Sequence, residues 1–173
     1  MAKTETFFIR AEVNLGHGGV YTQQEIDLGS FVNVGVKSST LLRIHNIQTA
    51  LVDATGLPPE LPANTAAAAA YQLTTESHAS MVRLTDKSVV GSGSIGMRNP
   101  DGSQNPASQA VVTDIWPQDF SHGYLIAVDT LYLAGINQSD FVADMFATIC
   151  MEVSMEKATQ AAVSYTHLRA HET

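Results

Sequence analysis

Met145-Phe-Ala-Thr-Ile-Cys-Met-Glu-Val-Ser-Met-Glu156 decides how the rest of the chain is read. Met145, Ala147, Ile149, Met151, Val153 and Met155 alternate with Phe146, Thr148, Cys150, Glu152, Ser154 and Glu156. Period two over this length is the mark of a strand with one face on a core. A helix would gather Asp144, Thr148 and Glu152 on one face but scatter the apolar set around the cylinder. The spacing therefore predicts a long central strand with Ile149, Met151 and Val153 facing inward. From Glu156 onward, Lys-Ala-Thr-Gln-Ala-Ala reads as the start of a helix.

Working outward from that strand, the same alternation recurs. Phe7, Ile9, Ala11, Val13 and Leu15 interleave with Arg10, Glu12 and Asn14, and Gly16-His-Gly-Gly19 then breaks the strand. Glycines accept the positive φ of a tight turn, so this run reads as a turn rather than as a set of oxyanion-hole amides. Val20–Leu28 alternates again. Leu41–Val52 reads as a strand with apolar residues on both faces, and Gly56–Pro62 as a loop that its prolines keep out of any sheet. Ala66–Ala70 with Tyr71-Gln-Leu73 reads as a small-residue strand, with a short helix as the other option. Met81–Leu84 and Lys87–Met97 suggest a hairpin around Thr85-Asp86. Arg98–Gln109 has loop chemistry, Ala110–Ile115 and Gly123–Leu133 are strand-like, and Gly135–Asp140 reads as a turn.

About eight strands at short spacing, with no clear long helix, predict an all-β, antiparallel β-sandwich of jelly-roll type. At 173 residues the chain has one domain's length, and residues 1–162 are assigned to that single domain. Val163–Thr173 breaks the pattern. It resembles, residue for residue, one frame of a translated transposase-based sequencing adapter, which implies a non-native tail on an assembled environmental sequence. Removing Arg169 and Glu172 with it leaves the net charge at −8.

Charged residues are only 15% of the chain, and hydrophobic residues are 45%. This excludes disorder and points to a chain with much of its surface covered, either by its own core or by neighbours. The nine basic residues are scattered singly among seventeen acidic ones, which argues against direct nucleic-acid binding. Cys150 is the only cysteine, so no intrachain disulfide or cysteine-based zinc site can form. No apolar run is long enough for a transmembrane helix, and Met1–Thr6 carries no apolar signal region, so a soluble protein made in the cytoplasm is expected.

Candidate chemistry fails at the level of residue spacing. Gly91-Ser-Gly-Ser-Ile-Gly96 fits a dinucleotide-binding pattern, but Met97-Arg-Asn-Pro-Asp-Gly follows where a helix must open, so a glycine-rich strand is the better reading. His17, His45, His78 and His122 never come two within five residues, and no paired ligands of a cupin-like metal site are present. Asp114, Asp119 and Asp129 read as solvated carboxylates. No catalytic residues, cofactor or metal are assigned. Ile115-Trp-Pro-Gln-Asp-Phe120 is the most informative loop. It either caps the core or anchors an interface through Trp116, Pro117 and Phe120, since aromatic residues concentrate at the centres of protein contacts.

A short all-β chain with an early first strand, few charges, long mid-chain loops and a long last strand resembles the single jelly-roll virion proteins. These are the small capsid or coat proteins of environmental viruses. The resemblance implies a structural, non-enzymatic protein that self-assembles in a virion, with itself and other virion proteins as partners. Many such proteins carry a basic N-terminal arm, whereas only Lys3 and Arg10 fall in the first fourteen residues here. That departure implies a shell over a membrane, or a minor or decoration protein. The competing reading is a carbohydrate-binding β-sandwich in which Tyr71, Trp116, Tyr124 or Tyr132 stack on sugar rings.

Overall fold

A computed structural model describes residues 5–35, 38–100, 110–113, 118–138 and 140–159. Val163–Thr173, read above as a non-native tail, Trp116, Pro117 and Asp114 therefore lie outside the described residues, as does most of the Arg98–Gln109 loop.

Strand β9 (Met145–Thr159) is the spine of the fold. It lies between β1 (Phe7–Gly16) and β3 (Ser38–Val52), both antiparallel, and β7 (Gln118–Ile126) completes the sheet in the order β1-β9-β3-β7. Met151 is paired with Ile9 on one side and Ile47 on the other. Met145, Ala147, Ile149, Met151 and Val153 are buried in the core, as the alternation predicts. Lys157–Thr159, the first residues of the expected helix, are strand instead, and residues 160–162 lie outside the described residues. The strand runs on to Thr159 because Ser38–Leu41 supply a ready ladder for Glu156–Thr159.

The facing sheet has the order β2-β8-β4-β5-β6, from β2 (Thr22–Asp27), β8 (Thr130–Asn137), β4 (Thr65–Thr74), β5 (Val89–Asn99) and β6 (Ala110–Thr113). Eight of these strands form a jelly roll, β1-β9-β3-β7 against β2-β8-β4-β5, and the short β6 extends one edge. The predicted fold class stands, with nine described strands where about eight were expected. Ala66–Ala70 is strand, and Gly91–Gly96 sits inside β5 as a glycine-rich strand.

The mixed faces of β3 have a simple cause. The register shifts between Ile44 and Asn46, so His45 is an extra residue. Leu42 and Ile44 point into the core before this bulge, and Ile47 and Leu51 after it. Leu41 faces the other way, against Leu125, Ala127 and Ala158.

Three local expectations are corrected. Met81–Leu84 is not a strand and forms no hairpin with β5. The segment from Thr75 to Ser88 is a loop tied to buried Gln72, whose carbonyl accepts from the Val82 amide (2.9 Å) and whose amide donates to the Ser80 carbonyl (3.3 Å). Gly123–Leu133 is two strands, β7 and β8, lying in different sheets. One continuous strand would turn Leu131 and Leu133 outward from Ile126, whereas the break over residues 127–129 buries all three. Gly135–Asn137 continues β8 instead of turning. Gly135 serves close packing there, because a Cβ would collide with the Ala70 carbonyl and the Leu15 methyls.

Candidate interaction edge

Phe120, the described member of the aromatic loop, sits at the start of β7, the outermost strand of its sheet. Its ring lies 5.6 Å from that of Tyr124, tilted by 54°, and both pack half-buried against the core. Phe120 thus has the capping contact that the first reading of this loop requires. Burial raises the Tyr124 hydroxyl above its ordinary pKa.

The strand is not regular here. Asp119 pairs with Asn46 and Tyr124 with Ile44, so the four residues from Phe120 to Gly123 stand opposite the single His45. The excess chain loops out and leaves Ser121 and His122 exposed. Gly123 closes the loop with φ of +73°, a conformation side chains rarely adopt. A Cβ at Gly123 would lie 2.5 Å from Cγ and Cδ of Arg43, so the arginine stem occupies the space that glycine leaves.

Arg43 holds this bulge to the sheet. Its Nη1 donates to the His122 carbonyl (2.5 Å), while Nε and Nη2 donate to the two carboxylate oxygens of Glu156 (2.6 and 2.9 Å). The Glu156 side chain is 0% exposed. The bidentate contact raises the Arg43 pKa above its ordinary value, against the opposing effect of burial. A fork held this way is fixed in direction, so the bulge of β7 is anchored to the sheet. Arg43 and Glu156 are 113 positions apart, and no sequence signal joins them. Gly123, following Ser121-His122 and preceding Tyr124-Leu-Ile126, is the one local sequence hint of a bulge.

The other candidate groups do not converge. His17 contacts Asp144 (2.6 Å), His45 contacts Ser154 (2.8 Å), His78 contacts Ser88 (2.8 Å) and His122 contacts Ser121 (3.0 Å). Among the described residues no group of three or more His, Cys, Asp or Glu side chains is placed to hold a metal ion. Asp119 is exposed near the start of β7, and Asp129 is exposed in the break between β7 and β8. Gly16–Gly19 is the turn from β1 toward β2, with positive φ at Gly16 and Gly19.

Of the aromatic residues offered to a sugar, Tyr71 is fully buried, its pKa pushed up by desolvation. Tyr124 lies against the core, and Tyr132 is half-buried on β8. The sandwich interior is filled by side chains such as Leu15, Ile44, Ile47, Tyr71, Leu73 and Met151. A depression of about 660 Å³ is an open trough across β1, β9 and β3 that includes Arg10, Glu12 and Cys150. No helix among the described residues is long and apolar enough to cross a membrane.

No protein-family model matches this chain, and no curated protein does. Among solved structures, Merkel cell polyomavirus VP1 in complex with disialyllactose is similar at 8% identity and TM-score 0.46, over 89% of this chain and 95% of that one. VP1 of human polyomavirus 12, in complex with 3'-sialyllactosamine, gives 9% identity and TM-score 0.46 over 90% and 100% of the two chains. VP1 of trichodysplasia spinulosa-associated polyomavirus, in complex with GM1 oligosaccharide, gives 9% and 0.47 over 89% and 95%. Likeness at this level carries no functional inference.

Proposed function

We propose that the chain is a structural, self-assembling protein, a capsid or other virion component with no catalytic role, used as repeated copies of itself beside other virion proteins. Jelly rolls serve as shell proteins, lectins and cupins, so the fold alone does not choose. The observation that carries the reading is the filled interior: apolar side chains from both sheets occupy the space where a cupin holds its ligand. What remains for a partner is the outside of the sandwich. The β7 edge, pinned by Arg43 to Glu156 and to the His122 carbonyl, supports a role for the neighbouring Trp116–Phe120 loop as an anchor. A net charge of −8 disfavours a surface that neutralises a packaged genome directly.

Trp116→Ala tests the reading more cleanly than a change at Phe120, because Phe120 also packs on the core. Burying an aromatic anchor at an interface is worth about 2 kcal/mol or more, and a shell repeats the contact many times. Sedimentation and electron microscopy of the wild type should show large regular assemblies. Trp116→Ala should lose them while circular dichroism shows an intact monomer. A wild type that stays monomeric at high concentration and binds an oligosaccharide array would overturn the proposal in favour of a lectin-like protein.

A further inference from the structure

Strand β1 is the opposite edge of the sheet that ends in β7, and no described strand pairs with its outer side. Natural edge strands are usually blunted by proline, lysine, a bulge or an inward-pointing charge. Phe7–Val13 has none of these, and its register with β9 stays regular as far as Asn14. The core-facing residues Phe7, Ile9 and Ala11 remain half-buried, although their partners Val153, Met151 and Ile149 on β9 are buried. On the outward face Phe8 is 55% exposed, and Arg10 and Glu12 are exposed beside it. The Asn14 carbonyl accepts from the Thr22 hydroxyl (3.0 Å), away from β9. Alternation along the strand then turns the backbone groups of Phe8, Arg10 and Glu12 to the same open side.

We propose that β1 pairs antiparallel with β1 of a second copy of this chain, about a two-fold axis at Ala11, joining two four-stranded sheets into one. In this register Arg10 stands opposite Glu12 of the second copy and Glu12 opposite its Arg10. Ile9 stands opposite Val13, apolar against apolar on the core-facing side. Arg10 and the facing Glu12 exchange both backbone hydrogen bonds, as their open N–H and C=O groups require.

Neighbouring registers are excluded by charge and by face. A shift of two residues sets Arg10 against Arg10, or Glu12 against Glu12, at the axis. A shift of one sets outward side chains against core-facing ones. Copies of a chain with net charge −8 repel at long range, so a contact between them needs local complementarity of this kind. The contact is separate from the Trp116–Phe120 loop and stands whether or not that loop assembles a shell.

The test uses the full chain in the Trp116→Ala background, so that the two contacts are read apart. Sedimentation equilibrium compares that parent with Arg10→Glu, Glu12→Arg and the double exchange, each checked for folding by circular dichroism. Either single reversal creates two like-charge pairs and should weaken dimerisation about tenfold. The double exchange restores both pairs with the signs swapped and should return close to the parent. Independently, Ala11→Cys in a Cys150→Ser chain should oxidise to a disulfide-linked dimer, because a two-fold pair of this type sits at bridging distance. Ile9→Cys should not. A monomeric parent, single reversals without effect, a double exchange as weak as the singles, or crosslinking at Ile9 instead of Ala11 would each overturn the proposal.

Discussion

Arg43 and Gly123 are two halves of one contact. Replacing Arg43 with alanine leaves the buried Glu156 charge without its guanidinium, and breaking such a pair from one side costs about 3–5 kcal/mol. Gly123→Ala strains a left-handed backbone and drives a methyl into the Arg43 stem, for a loss of about 1–3 kcal/mol in chemical denaturation. The double variant should lose less than the sum of the two, because removing the stem frees the space. Strict additivity would show that the two residues do not share the site. Asp144 makes a different kind of contact. It is exposed, and the Asn14 amide first and His17 second hold its carboxyl below the ordinary aspartate range. A lowered carboxylate pKa means that the contact is fully made above the ordinary range and is lost as pH falls through the lowered value. A side-chain NMR titration should place the Asp144 midpoint below that of an ordinary aspartate, and Asn14→Ala should move it up. A wild-type midpoint at or above the ordinary range would show that the contact does not persist in solution.

Strand β9 owes its place to one face and its reach to the other. Ile149→Ala or Met151→Ala should cost about 2–5 kcal/mol, because each opens a cavity between the sheets. Thr148→Ala and Glu152→Ala, half-buried on the outer side, should cost far less. Ser154 is not a neutral control, although the alternation places it outward. It is buried and shares a hydrogen bond with the extra residue of β3, His45. Equal losses at Thr148 and Ile149 in urea denaturation would contradict the strand. His45 is the unmatched residue of β3 on both sides: it is one extra residue against β9, and against β7 it faces the four residues Phe120–Gly123, an excess of three.

At the scale of the molecule, the jelly roll brings β1 and β9, the first and last strands, side by side over most of their length. Deleting Val163–Thr173 should leave the urea midpoint of the remaining chain within experimental error. A loss of several kcal/mol would show that this segment packs and is not an adapter-derived tail.

Strand identity was legible wherever alternation ran unbroken, as in Phe7–Leu15 and Met145–Glu156, because side-chain period and burial report the same thing there. The sandwich class and the strand character of Ala66–Ala70 and Gly91–Gly96 were legible too, from turn chemistry and the lack of a place for a helix to open. Local pattern failed where a neighbour decided the outcome. The Gly123–Leu133 run splits because the two sheets share its leucines, and Met81–Leu84 is loop, with the Val82 amide bonded to the Gln72 side chain and not to a neighbouring strand. The clamp of Arg43 on Glu156 and the bulge at His45 were invisible for the same reason. Each depends on chain segments more than a hundred residues apart, whose meeting is set by long-range sheet pairing and not by any local preference.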